Sequence, residues 1–273
     1  MKIILQNSKH IIVSIFLFSI IGNNFLGAAE EDAKALKIST DAYNYDKGFG
    51  DFISNQTMTL RNKQGEETIR YFRGKTLEVS DDGDKTLFIF DSPKDVKGTA
   101  TLTFSHKVGP DDQWLYLPAL KRVKRITSEN RSGSFVGSEF AYEDLGSQEL
   151  EKYSNRKYIK KEPCPEKEEL TCHVITRVPV EKSSGYSYQT LWLDDTPAHK
   201  VWKIEYYDRK KSLLKTLKFG DYKIYLDKFW RPSTYYMINH QTGKSTDLLV
   251  EEIKFKVGLS ERDFNQKSLS RVR

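Results

Sequence analysis

The sequence predicts a mainly β chain: one curved antiparallel sheet with a helix, or a few, on its concave face. Three observations carry this expectation. Short runs that alternate apolar and polar residues recur along the chain, separated by clusters of Asn, Asp and Gly. Aromatics make up 12% of the 273 residues, with 15 Tyr and 15 Phe, which favours strands. Only residues 30–46 carry a convincing helical period. With 38% apolar and 30% charged residues, and only 8 Pro and 16 Gly, the chain reads as one ordinary globular domain with a core of its own.

Residues 1–29 read as a secretory signal. Lys2 and Lys9 supply the positive start, residues 11–21 (IIVSIFLFSII) the apolar run, and Gly27-Ala28-Ala29 a small-residue cleavage site. The alternative is an uncleaved anchor, but the apolar run is 11 residues, against the roughly 20 that a spanning helix needs. No Cys stands near the cleavage point, so a lipidated N-terminus is not expected, and the mature protein should be periplasmic.

In the helix, Ala33, Leu36, Ile38 and Ala42-Tyr43 recur at helical spacing, acids gather at the start, and Gly48-Phe49-Gly50 ends it. From Asp51 the pattern turns to strands. Met58 and Leu60 alternate with Thr57, Thr59 and Arg61, residues 62–65 (NKQG) turn the chain, and residues 68–79 return. Residues 81–84 (DDGD) form a second turn. Leu87-Phe88-Ile89-Phe90 is apolar on both faces and should be covered on both. Strands follow at residues 98–106 and 114–117, then at 157–161 and 173–178. The cleanest alternation comes later, as in Trp202, Ile204 and Tyr206 against Lys203 and Glu205, and the meander runs on to Ile253, Phe255 and Val257. In all this gives roughly ten to twelve short strands. One or two helices cannot cover so broad an apolar face, so the sheet either packs on its own side chains or leaves a cavity able to take acyl chains.

The formal charge is +6. Taking Lys2 and Lys9 from the 44 basic residues leaves an excess of four over the 38 acids, a mild bias toward anionic surfaces such as lipid headgroups. Nucleic acid is not an expected partner, because the compartment is wrong and the charge is not concentrated. Cys164 and Cys172, the only cysteines, lie around PEKEELT. Metal sites want closer spacing and further ligands, so one disulfide at the base of a hairpin loop is expected, and no metal. No nucleophile elbow, phosphate-binding loop or zinc-protease motif occurs. His106, His173, His199 and His240 stand isolated. An acidic pair assembled only in space would leave a hydrolase reading open. Asn55-Gln56-Thr57 and Asn130-Arg131-Ser132 fit the glycosylation pattern, as short matches do by chance.

The densest stretch is residues 112–144, DQWLYLPALKRVKRITSENRSGSFVGSEFAYED. It joins an apolar strand, a run in which four of five residues (121–125, KRVKR) are cationic, and a small-residue loop closing on Phe135, Phe140 and Tyr142. The cationic run has two readings. It is a strand edge protected against aggregation, or a basic lip meeting phosphate or carboxylate at a pocket mouth.

At these residues the sequence resembles the LolA-like outer-membrane lipoprotein-sorting proteins, in the exported branch found with RND-type lipid exporters. That branch carries D-x-W-x-Y-L-P-A, then R-V-x-R-I, then F-x-G-S-D-F-x-Y-E-D-L. Asp112, Trp114, Tyr116, Leu117, Pro118 and Ala119 match the first part, and Arg122, Val123, Arg125 and Ile126 the second. Phe135, Gly137, Ser138, Phe140, Tyr142, Glu143, Asp144 and Leu145 match the third, with Glu139 where Asp is usual.

The resemblance covers residues 30–273. It implies an unclosed half β-barrel whose concave face, lidded by short helices, holds lipid chains without catalysis or cofactor. On this reading Trp114, Tyr116, Phe135, Phe140 and Tyr142 line or gate the cavity, and Arg122, Lys124, Arg125 and Arg131 meet a headgroup or a partner. The protein is then a monomeric periplasmic carrier of lipid or lipoprotein acyl chains that touches the membrane transiently. A second reading makes it a non-catalytic accessory subunit of an RND-type exporter, acting through protein contacts.

Overall fold

The computed structural model describes residues 22–271. Residues 1–21 of the expected signal lie outside them. Helix α1 spans Gly22–Tyr45, so it starts before the expected position 30 and takes in the expected cleavage region. Thirteen strands follow: β1 Asp51–Arg61, β2 Glu67–Leu77, β3 Lys85–Ser92, β4 Ala100–Phe104, β5 Asp112–Leu117, β6 Arg122–Ile126, β7 Tyr153–Cys164, β8 Lys167–Pro179, β9 Tyr186–Asp194, β10 Val201–Asp208, β11 Leu213–Tyr225, β12 Phe229–Asn239 and β13 Ser245–Phe255. They form one antiparallel sheet in the order β6-β5-β4-β3-β2-β1-β13-β12-β11-β10-β9-β8-β7. The chain enters at the middle, meanders to one edge, crosses to the other, and meanders back until β13 pairs with β1. The sheet does not close, because β6 and β7 each end it.

Period-two alternation sorts the side chains onto two faces. On the inner face Ile175, Leu191, Ile204, Leu217 and Met237 stand opposite one another across β8 to β12. They join Met58, Phe72 and Phe90 in the main core, closed from above by Ala35 and Ile38 of α1. The outer face carries two smaller clusters. At one end Leu87, Ile89, Ala100 and Leu102 are covered by Phe264 and Leu269 of the C-terminal tail. At the other, Val174, Trp192 and Trp202 pack on the Cys164–Cys172 disulfide, whose Cα atoms are 4.9 Å apart. β3 is therefore buried on both sides, as its unbroken apolar run implies: Leu87 and Ile89 outward, Phe90 inward. The cystine braces the end of a hairpin that is longer than its sequence suggested. PEKEELT is polar on both faces, so the pattern hid that β7 and β8 continue through it.

Where α1 ends, Gly48 and Gly50 take positive φ of 93° and 78°. Their amides both donate to the Glu78 carboxylate at 2.7 Å, an arrangement that favours residues without a Cβ. A second tie runs from the Tyr43 hydroxyl to Glu149 at 2.5 Å, beside Asp84 of the β2–β3 turn.

Candidate functional site

Residues 127–152 connect the two edges and run across the inner face. This strap is a chain of short 3-10 turns, Ser128–Asn130, Phe135–Gly137, Tyr142–Leu145 and Leu150–Lys152, in place of the expected helical lid. Its small and polar residues favour turns over a helix. At its tip Val136 and Gly137 have φ of 47° and 79°, and Phe135 and Phe140 close a tight loop through Phe135 N–H to Phe140 O at 2.7 Å. Both rings point into the main core, with 1% and 6% of their surface exposed. Phe135 packs against Phe88, Phe90 and Tyr142, at centroid distances of 6.1, 5.6 and 5.8 Å.

Polar groups tether the strap at both margins. The Arg70 guanidinium on β2 donates to the Val136 carbonyl, and burial holds that guanidinium below its usual pKa. Gln113 of β5, fully buried, donates to the Tyr142 carbonyl at 2.8 Å. On the other side Lys215 of β11 donates to the Glu139 carbonyl at 3.0 Å and pairs with Asp144 at 2.7 Å, both charged side chains being about 5% exposed. Tyr186 adds its hydroxyl to Asp144 at 2.8 Å. Glu143 accepts from Ser184 Oγ and from the Gly185 amide, at 2.7 and 2.9 Å. Burial first, and the Asp144 charge second, raise the Glu143 carboxyl above its ordinary range. Glu139 keeps a role for its longer side chain, accepting from Asn239 Nδ2 at 2.8 Å. The third part of the sequence motif is thus a set of anchors: two rings in the core and three acids in hydrogen bonds.

Beside the strap, toward β7–β9, lies a cavity of about 320 Å³, at the small end of the range for ligand pockets. Its wall is mixed rather than oily: Tyr153, Tyr186 and Tyr206, with Gln148, Gln189, Arg131 and Lys152. Arg131 is 5% exposed, paired with Glu181 and more loosely with Asp111 at 3.9 Å. Its Nε has no hydrogen-bond partner, and burial lowers its pKa.

The residues singled out from the sequence do not gather at one place. Phe135, Phe140 and Tyr142 belong to the strap and the core it fills, and none of them lines the cavity. Trp114 and Tyr116 face the other way, because in β5 only the face of Gln113 and Leu115 is inward; they pack under the C-terminal tail. Arg122, Lys124 and Arg125 lie on the exposed edge strand β6, where Arg125 pairs with Asp112. Of the four cations only Arg131 reaches the cavity. Sequence reasoning missed Arg70 and Lys215, which sit in strands where a cation reads as solvent-facing. Among the described residues no group of His, Cys, Asp and Glu is placed to hold a metal, and no helix is long and apolar enough to cross a membrane.

A family model described only as an uncharacterized protein matches residues 82–271. The crystal structure of a domain named for outer membrane lipoprotein sorting, from Vibrio parahaemolyticus, is 52% identical; the match covers 88% of this chain and 100% of that one, with a TM-score of 0.84. The chain belongs to the LolA-like lipoprotein-sorting family. Two further matches bear on the fold alone. A DUF1329 family protein from Desulfovibrio piger is 24% identical over 88% of this chain and 99% of its own, with a TM-score of 0.81. A LolA superfamily protein from Nitrosomonas europaea is 17% identical over 85% and 97%, with a TM-score of 0.66. A search among curated proteins finds no match.

Proposed function

We propose that this protein is an exported, non-catalytic carrier which buries lipid or lipoprotein acyl chains against the inner face of its sheet, in the space the strap now fills. The observation that supports this most directly is the strap itself. Two phenyl rings occupy the core of the inner face, yet the segment carrying them is held by hydrogen bonds and ion pairs at its margins and joins the sheet ladder nowhere between β6 and β7.

Such a plug is exchangeable. Withdrawing Phe135 and Phe140 exposes surface worth about 1.5–3 kcal/mol each, while an acyl chain entering from water gains about 0.8 kcal/mol per methylene. A chain of about ten methylenes therefore outweighs both rings. In this mechanism the strap lifts, the chain takes the place of Phe135, Phe140 and Tyr142, and the cargo passes to an acceptor that covers it better. Arg70 is placed to set the resting state, because its bond to the Val136 carbonyl holds the strap tip down. The Vibrio relative, named for lipoprotein sorting, agrees with this class of cargo.

Arg122, Lys124 and Arg125 would then touch an anionic membrane or a partner. A second reading is favoured by the filled inner face: an accessory subunit of an RND-type exporter that carries nothing and works through that same basic edge. Native mass spectrometry of gently purified protein separates the two. Lipid adducts, increased in a Phe135→Ala/Phe140→Ala variant, are expected of a carrier. Protein that neither retains nor takes up a lipid under any condition would sink the carrier reading and leave the accessory one.

A further inference from the structure

Arg177 of β8 is 9% exposed and forms no ion pair with a carboxylate among the described residues. Buried charges are ordinarily paired, because desolvation is expensive and a lone charge leaves that penalty unbalanced. What surrounds Arg177 is neutral. Its Nε donates to Oε1 of Gln189, its cross-strand neighbour, at 2.8 Å, and its Nη2 donates to Oε1 of Gln148 at 2.6 Å. The guanidinium Cζ sits over the Tyr153 ring, 3.5 Å from its centroid.

The cavity wall beyond carries both signs, with Asp111, Glu143, Asp144, Glu151 and Glu181 among its lining residues, but the charged groups nearest Arg177 include a second cation. Arg156 gives its Nη1 and Nη2 to the Tyr153 and Leu150 carbonyls, and its Nε has no partner. Arg177 lies close enough to push the Arg156 pKa down after burial, with the field of Glu151 opposing in part. Arg131, on the cavity wall, also has a buried Nε without a partner.

Gln148 explains how the arrangement persists without a ligand. Its single carbonyl oxygen accepts two donors at once, Arg177 Nη2 at 2.6 Å and the Tyr153 hydroxyl at 2.8 Å. Gln148 is itself exposed and belongs to the strap, and Gln148, Tyr153 and Gln189 all line the cavity. An amide oxygen on a displaceable side chain thus stands where two converging donors would hold a more strongly charged oxygen.

We infer that this end of the cavity is an oxyanion site, in which the carboxylate or phosphate of a ligand displaces Gln148 and is held by Arg177 and the Tyr153 hydroxyl. If the carrier reading holds, that group is the head of an anionic amphiphile whose chain follows the inner face; if it does not, the same site takes a free anion. Gln148 then links the site to the strap, since its displacement removes one of the strap's ties.

Isothermal titration calorimetry on the full chain tests this with three probes: dodecyl phosphate, 1-monolauroylglycerol with the same chain length, and inorganic phosphate. Wild-type protein should bind dodecyl phosphate at least about tenfold more tightly than the neutral amphiphile, and Arg177→Gln should remove that preference. Gln148→Ala should tighten dodecyl phosphate binding, because it removes the competing acceptor and leaves two donors waiting. Gln148 is exposed, so this variant and the wild-type preference decide the matter even if Arg177→Gln does not fold. Equal binding of the two amphiphiles, or a preference that survives Arg177→Gln, overturns the oxyanion site and leaves the carrier intact. Inorganic phosphate bound through Arg177, with neither amphiphile bound, keeps the site as one for a free anion. If no probe binds, the oxyanion site falls, and native mass spectrometry decides the carrier reading separately.

Discussion

The buried pair Lys215–Asp144 shows how a residue's role depends on a partner far along the chain. Lys215 sits among Leu213, Leu214 and Leu217 and reads as a solvent-facing cation, yet it is 4% exposed because Asp144, 71 positions away, is brought over it by the strap. Replacing Lys215 with Met should cost about 3–5 kcal/mol, by leaving Asp144 charged, buried and unpaired. Adding Asp144→Asn should recover part of that loss, and urea unfolding of the single and double variants measures both. Asp84 has the opposite character. Burial, and then the charge of Glu149, push its carboxyl up to about 7. The folded state therefore holds this proton where the unfolded chain, with a carboxyl near 3.8, has released it. Stability contributed by Asp84 falls as pH rises from about 4 to about 7 and is lost above that. Asp84→Asn should raise the melting temperature by a few degrees at pH 8, and should leave it nearly unchanged at pH 4. The pattern of Trp114 and Tyr116 was legible as a strand, but its facing was not. The reason is that the tail covering them carries Leu259, Phe264 and Leu269 at a spacing that fits neither a helix nor a strand.

Among the elements, β6 is the one with two readings. Its backbone ends the sheet, and Arg122, Lys124 and Arg125 are exposed along it. If their work is to keep that open edge from pairing with other chains, then replacing all three with Ala should cause concentration-dependent aggregation visible by light scattering, with no change in the fold at low concentration. If they meet a membrane, the same variant should stay dispersed and lose binding to anionic vesicles, a loss that salt reproduces in the wild type. The strap was legible only in part. Its aromatics and small residues stood out, but an aromatic loop looks the same in sequence whether it folds outward as a flap or inward as a core. What decides is the broad apolar inner face, which α1 covers near Ala35, Ile38 and Ala42 and which draws Phe135 and Phe140 down onto it.

For the whole molecule, the alternation that predicted a single curved sheet also supplied most of its strands, because most have one buried face and their period of two survives in the sequence. The order of strands did not show in the same way. Nothing local in β6 or β7 says that they are the two edges, and the polar wall of the cavity draws its residues from β7, β9, β10, the β4–β5 loop and the strap at once. The family resemblance contributed what local pattern could not, the expectation of an unclosed sheet, and within it the third part of the motif, residues 135–145, seats the strap.

The side-by-side placement of β1 and β13 has a consequence for how the chain acquires its structure. Every other strand pair in the sheet joins neighbours in sequence, so β1 to β6 and β7 to β13 can each zip up by short hairpins. The seam between the halves joins residues such as Arg61 and Asp247, 186 positions apart, and cannot form until the final strand is present. Closing so long a loop makes it the slow event, and until then each half carries an unpaired edge open to other chains. During synthesis this protein is thus two incomplete sheets awaiting one late contact, and that interval is when it most needs protection.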